Sequence, residues 1–322
     1  MRLAAEYVLP LRWSDDAELD DLVDYLRHLE RWIDVTVVDG SDAALFDAHA
    51  RAFPPGVRHV APTVSDGANG KARGVVSGLA LSRHECVVIA DDDVRHDRAT
   101  LAALVSQTTD ADLVAPQNVF DPRPWHARWD TARSLINRAA TGDFPGTYAV
   151  RRSALPRGYG VDALFENLEM ERTVRAGGGR VRRCRDLFVI RRPPTARRFW
   201  GQRIRQAYDS QAQPARLLAE LSIAPCVFAA RRHPGILSLL AVVAVGLAEL
   251  GRRRGHGTNA FPATAALWAP VWVAERGVTS WVALAMRLSG GVPYAGRRVV
   301  RAATPLRTLR QLASDDAMGP GR

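Results

Sequence analysis

Lysine is almost missing from this chain. Of its 44 basic residues only Lys71 is a lysine, and all the others are arginines. Cysteine is nearly as scarce: Cys86, Cys184 and Cys226 form no Cys-x-x-Cys pair. That excludes a zinc site of paired cysteines and a disulfide framework, and it fits a reducing compartment. There is no internal repeat and no low-complexity block. The N-terminus passes straight into a strand pattern, without the basic region, apolar core and cleavage site of a signal peptide, so the main body is expected in the cytosol. The Walker loop Gly-x-x-x-x-Gly-Lys-Ser/Thr is absent as well.

What remains is a chain of 322 residues with a formal net charge of +10. That length can bury one large core, or one core plus an appendage. The charge points to an anionic partner such as nucleotide phosphates, nucleic acid or an acidic membrane surface. Arginine and alanine richness also follows from genome base composition, which weakens the charge as a signal. A single lysine among arginines is more pointed, because its position suits a compact point charge.

The first two-thirds alternate strand and helix. Residues 5–11 ("AEYVLPL") read as a strand, and Ser14, Asp15 and Asp16 offer an N-cap to an amphipathic helix running to about Trp32. "DVTVVDGSD" reads as a buried strand ending at Asp39 in a glycine turn. A helix to about Ala50, a short strand "VRHVAP", a glycine-bearing loop, a helix over 71–82 and a strand ending at Asp91 follow. Such alternation implies a doubly wound, mostly parallel sheet.

The strand "CVVIA" runs into Asp91, Asp92 and Asp93. In open α/β sheets ligands bind beyond the carboxyl ends of the strands, where carboxylates can hold a hard divalent cation. The competing reading is that three aspartates cap the next helix. Asp39 has a similar pair of readings, a base acceptor or a turn residue before Gly40. Lys71 begins a helix whose free N–H groups already favour an anion.

After about residue 214 the character changes. Residues 235–250 form an almost uninterrupted apolar run, residues 260–274 a second, and "GVTSWVALAMRL" a third, amphipathic one. Each is shorter than the ~20 residues that a perpendicular span needs. Arg231 and Arg232 precede the first run and Arg252, Arg253 and Arg254 follow it. A true span would put one cluster outside, against the positive-inside tendency. Interfacial helices would keep both on one face, with Trp268, Trp272 and Trp281 at headgroup depth. A soluble helical subdomain is the other reading.

Read in order, "VVDGSD", "NGKARG", "ADDDVR", "GDFPGTYAVRRSAL" with "FENLEMERTVRAGGGRV", and "RRFWGQRIRQAYDS" resemble the family-2 glycosyltransferases, specifically the membrane-attached branch that acts on lipid or envelope acceptors. The resemblance covers roughly residues 5–209. It implies a GT-A-like fold over 1–214 that binds a nucleotide sugar, followed by a helical, membrane-associating region over 215–322 with a basic tail.

By the same resemblance Asp39 contacts the nucleotide base, Lys71 the diphosphate, and Asp91 and Asp93 a magnesium or manganese ion beside the sugar diphosphate. Asp92 is expected to turn away toward the helix cap. The family's Glu-Asp motif reads Glu166-Asn167 here, and asparagine cannot accept the proton. Glu166 is therefore the expected base, with Glu169 second. Gln202 and Arg205 match the family's Gln-x-x-Arg-Trp, but Gln206 stands where the tryptophan is usual, and Trp200 nearby is expected to be buried and structural. "GGVPYAGRRVVR" resembles a juxtamembrane segment of lipid-directed members.

The implied reaction is transfer of a sugar, with inversion, from a nucleotide diphosphate to an acceptor hydroxyl at a membrane surface, with the catalytic domain facing the cytoplasm. The alternative is an inactive membrane-attached module that binds nucleotide sugar or serves as a scaffold. Nucleic-acid binding predicts basic residues interleaved with aromatics on one surface. The arginines gather instead near the apolar tail and the expected phosphate site, so no nucleic-acid partner is expected.

Overall fold

The computed structural model describes residues 2–294 and 296–318. By compactness the chain divides into a first unit of residues 1–116, 145–182 and 303–322, and a second of 117–144 and 183–302. This cut differs from the sequence boundary at 214, because both units are discontinuous in sequence.

In the first unit β1 (Glu6–Leu11), β2 (Asp34–Asp39), β3 (Val57–Val60) and β4 (Cys86–Ala90) alternate with α1 (Leu19–Leu29), α2 (Ala43–Ala52) and α3 (Gly70–Leu81). β1 lies between β2 and β4 and is parallel to both, and β3 extends the parallel set beyond β2. All five residues of β4 are buried. Continuous β-branched runs of this kind suit a parallel strand covered on both faces. After β5 (Val94–Arg95) and α4 (Arg98–Ser106), β6 (Leu113–Phe120) leads to α5 (Trp125–Ala139). β7 (Thr147–Arg151) then enters antiparallel to both β4 and β6. With β8 (Val181–Arg191), the eight strands run in the order β3-β2-β1-β4-β7-β6-β8-β5. The sheet is mixed and mostly parallel, and with its helices forms a GT-A-like α/β fold.

One core gathers Val8, Val38, Val87, Ile89, Leu113 and Tyr148 from strands with Val75 and Leu79 of α3. Met170 and Val174 of α6 (Glu166–Ala176) join it. The seating of α3 depends on a missing side chain: a Cβ on Gly78 would lie 2.3 Å from Val8 Cγ1. The absent methyl lets the helix axis approach the sheet.

Two local expectations need correction. The cap of α1 is Glu18, with no side-chain cap bond. Asp15 instead accepts from Ala17 N–H, and Asp16 reaches His49. The helix after the three aspartates is capped by Asp97, which forms a capping box with Thr100. Asp91, Asp92 and Asp93 are thus not cap residues.

The second unit continues with α7 (Ala196–Asp209), α8 (Pro214–Ala230), α9 (Pro234–Arg253), α10 (Ala269–Leu288) and the hairpin β9 (Val292–Tyr294) and β10 (Arg297–Val299). The second apolar run is not a separate helix: its first half is a 3-10 turn over Ala263–Trp268, and its remainder opens α10 together with the third run. The helical segment Pro234–Asn259 reaches 26 residues and is long and apolar enough to cross a membrane by length and composition. Only 17% of its apolar window is buried in the protein, unlike a core helix of a soluble domain. Trp272, expected at headgroup depth, is buried, whereas Trp281 is 46% exposed. Trp200, expected to be buried, is 51% exposed and packs against Trp125, Trp129 and Phe199. In the first unit, finally, α11 (Leu306–Met318) packs on α6.

Candidate active site

The parallel order β2-β1-β4 brings the loops after three strands to one edge of the sheet, and hydrogen bonds tie those loops together. Gly40 N–H donates to Leu11 O at 2.8 Å. Trp13 donates its backbone N–H to Ser41 Oγ at 2.9 Å, and its indole N–H donates to Asp92. Asp92 therefore turns toward the β1 loop. Asp91 N–H donates to Gly146 O at 2.8 Å, which places the segment before β7 beside the acidic turn.

Lys71 stands at the centre. Its ammonium lies 2.6 Å from Asp91 Oδ1 and 2.5 Å from Glu166 Oε1. α3 delivers Lys71 in its first turn, and α6 begins at Glu166. The two helix starts are joined by Asn69, a residue the sequence reading did not single out. Its side-chain oxygen caps α3 by accepting from Ala72 N–H at 3.2 Å. Its amide nitrogen donates to Ala163 O at 2.8 Å and Leu164 O at 3.3 Å. Asn69 N–H also donates to Val161 O, and Asp162 accepts from Ala68 N–H. An asparagine before Gly-Lys could have been read as an N-cap; its tie to a distant loop had no local signal.

The electrostatics of the trio follow from burial and charge. Burial pushes the Glu166 carboxyl up, opposed by the Lys71 cation and assisted by the Asp91 anion, and the balance is a raised pKa. Burial pulls Lys71 down, but Asp91 and Glu166 outweigh it and hold the ammonium well above its ordinary value. Lys71 is therefore a fixed cation, and Glu166 is a carboxylate of increased proton affinity. Asn167, with its amide nitrogen turned toward Glu166, donates to Oε1 and Oε2 at 3.0 and 2.9 Å.

The other expected residues are placed as follows. Glu169 is 1% exposed, and its Oε2 accepts from Thr304 N–H at 2.6 Å, so it anchors the returning C-terminal segment. Asp39 is buried: Oδ1 accepts from Ser41 N–H at 2.9 Å, and Oδ2 faces His49 Nδ1 at 2.6 Å and His59 Nε2 at 3.0 Å. Burial raises its carboxyl, yet hydrogen bonds from His59, Ser41 and His49 outweigh that and hold it well below the carboxylate range. Its oxygens are engaged inside the protein, whereas a direct base contact needs an open acceptor. Asp93 lies half-buried in the turn after β4.

Gln202 and Arg205 lie on α7 in the second unit, where Arg205 sits over the Tyr294 ring at 5.5 Å. Between them Arg203 is 2% exposed and donates to Asp130 Oδ1 at 2.8 Å and to Gln206 Oε1 at 2.6 Å. Gln206, at the family's tryptophan position, thus helps hold a buried arginine.

Among solved structures, a mannosyltransferase from Pyrobaculum calidifontis in complex with GDP-Man and Mn2+ aligns with a TM-score of 0.50 at 18% identity, over 99% of this chain and 81% of that one. Mannosyl-3-phosphoglycerate synthase from Rubrobacter xylanophilus aligns at 0.42 and 16% identity, over 62% and 70%. Glucosyl-3-phosphoglycerate synthase from Mycobacterium tuberculosis in complex with phosphoglyceric acid aligns at 0.41 and 18%, over 60% and 74%. The first of these likenesses shows the shared fold. No protein-family model matches the chain, and a search of curated proteins found no match.

Proposed function

We propose that this chain is a family-2-type glycosyltransferase that moves a hexose from a nucleotide-diphosphate sugar to the hydroxyl of a lipid or envelope acceptor. The observation that carries this reading is the convergence of Asp91, Lys71 and Glu166 at the carboxyl end of β4. One fixed cation and one carboxylate of raised proton affinity meet where such sheets bind ligands.

The chemistry follows from those two groups. The acceptor oxygen bonds to the anomeric carbon as that carbon's bond to the diphosphate breaks, with inversion. Glu166 takes the hydroxyl proton, and its raised pKa suits it to keep that proton. Asn167 orients the carboxylate through both oxygens. Lys71, in the first turn of α3, places positive charge opposite the departing diphosphate. Asp91 and Asp93 are all-oxygen donors at a strand end, a set that fits magnesium or manganese. When bound there, such an ion supplies charge neutralisation to the diphosphate.

Asp39 shapes the base end of the pocket through the turn it organises at Ser41. Gln202 and Arg205 are assigned to the donor by the resemblance alone, and the mannosyltransferase complex with GDP-Man and Mn2+ supports the donor class by analogy of fold.

A lipid acceptor and membrane attachment are supported by the second unit. Leu239, Leu240, Val243 and Leu247 of α9 are exposed. A cavity of about 680 Å³ between α5, α8, α9 and α10 is lined mostly by apolar side chains, with Arg216 and Glu220 also on its wall. Such surfaces suit contact with acyl chains. We place the catalytic domain on the cytoplasmic side of the cell membrane.

The test is calorimetric titration of nucleoside diphosphates into detergent-purified protein, with and without manganese, beside Asp93→Ala. Metal-dependent binding of one diphosphate, lost in the variant, supports the donor site. Transfer from the matching nucleotide sugar to a lipid phosphate then separates an enzyme from a binding module. Folded protein that binds no diphosphate ends the reading.

A further inference from the structure

A second cluster, apart from the Asp91–Lys71–Glu166 trio, lies where β2, α2 and β3 meet. Asp39 Oδ2, His49 Nδ1 and His59 Nε2 lie within 4.8 Å of one another. The side chains of Asp39 and His49 are fully buried and that of His59 is 9% exposed. Among the described residues no other three His, Cys, Asp or Glu side chains converge in this way.

Counting protons makes the cluster unusual. His49 presents Nδ1 to Asp39 Oδ2 at 2.6 Å and Nε2 to Asp16 Oδ1 at 3.0 Å. A neutral imidazole has one N–H and can donate to only one of these carboxylates. A cation on Nδ1 lets Nε2–H donate to Asp16, so that both ring nitrogens and the buried Asp39 oxygen are satisfied together.

We propose that Asp39, His49 and His59 form a binding site for a borderline divalent transition ion, zinc by its donor set, separate from the oxygen-donor position at Asp91 and Asp93. Two imidazole nitrogens and one carboxylate oxygen are a zinc-type set, with the fourth position left to solvent or ligand. Asp16 behind His49 supplies the outer carboxylate that fixes a metal-bound imidazole's tautomer and orientation. Ser41 N–H occupies Oδ1 and so leaves Oδ2 to the ion.

The rings are already held in place. His59 stacks on Phe46 with centroids 4.1 Å apart, His49 stacks on Phe53 at 5.6 Å, and Trp13 meets His49 edge-on at 5.5 Å. A tetrahedral ion with bonds of roughly 2.0–2.1 Å separates its ligand atoms by about 3.3 Å. The 3.0 Å His59 contact is close to that, and the 2.6 Å His49 contact must open by a fraction of an ångström. The ion would staple α2 and β3 to the end of β2 and fix the turn at Ser41. This assignment does not depend on the glycosyltransferase reading.

The experiment uses the full chain, stripped with a chelator and titrated with zinc and with cobalt(II). One equivalent of zinc should bind, cobalt(II) should give the intense visible bands of a tetrahedral site, and zinc should raise the melting temperature. His59→Gln and Asp16→Asn should each weaken zinc binding at least tenfold. Asp93→Ala should leave the cobalt spectrum unchanged, which distinguishes this site from the donor position. Absence of cobalt bands in folded wild-type protein overturns the assignment and leaves the cluster as a hydrogen-bonded network that holds the turn at Ser41. Zinc binding that survives His59→Gln but is lost in Asp93→Ala overturns it too.

Discussion

Asn69 donates from its side-chain amide to the carbonyl of Ala163 at 2.8 Å while its amide oxygen caps α3, so one side chain fixes the starts of the helices that carry Lys71 and Glu166. Asn69→Ala removes the cap, worth about 1 kcal/mol. It also leaves the buried Ala163 and Leu164 carbonyls short of a donor, costing about 1–3 kcal/mol more. Urea melts should show that loss. Transfer should fall further than stability explains, because the Lys71–Glu166 approach loosens.

Glu166 tests the proposed proton transfer. Glu166→Gln should lower kcat by roughly 10²–10⁴ with little change in diphosphate affinity. In the wild type the carboxyl is held above its ordinary value. Because the base works deprotonated, kcat/KM should climb with pH through a value above the usual ~4.3. A profile already flat at pH 5 would contradict the assignment.

Lys71→Met removes the cation that opposes the burial and Asp91 effects on Glu166. The limb of the pH profile should therefore move to higher pH, and diphosphate binding should weaken. Lys71→Arg should rescue poorly, since a planar guanidinium does not fit between two carboxylates arranged around a point charge. Initial rates between pH 5 and 8 decide both points.

His96 is a buried group that the proposed reaction does not use. Burial pushes its pKa down to about 4. A folded-state value below the unfolded ~6.5 means that stability is fully present above pH 6.5 and is lost as pH falls toward 4. The loss should be on the order of 3 kcal/mol. Denaturant melts across that window should show it, and His96→Gln should flatten the dependence.

Gly78→Ala sets a methyl 2.3 Å from Val8 Cγ1. Overpacking of this kind costs typically 1–3 kcal/mol. Val8→Ala in the same chain should recover part of the loss, because the two positions share one contact. Thermal melts of both single variants and the double variant give the coupling.

The strand-and-helix alternation of the first unit was legible because buried parallel strands such as 86–90 are short apolar runs that stop at polar residues. Lys71 was legible for a different reason: it is a single lysine at a helix start. What escaped was pairwise and distant. Nothing local to Asn69 points to Ala163, and nothing near Glu169 points to Thr304. Asp39 was read either as a base acceptor or as a turn residue; its turn bond to Ser41 N–H is local, but its two histidine partners come from α2 and β3 and left no local signal. Trp200 was expected to be buried and structural, but its place on α7 leaves half of it exposed. Helix limits in the tail were misjudged where an apolar run crosses from a 3-10 turn into α10.

The bond from Thr304 N–H to Glu169, with Arg172 donating to Thr304 O at 2.8 Å, also bears on the order in which the protein is made. A ribosome reaches residue 304 only after every helix of the second unit has been translated. Until then the helix bearing Glu166 lacks the segment that satisfies its buried Glu169. The nascent first unit thus lacks this contact while the apolar helices emerge, and it gains it only after they have been translated.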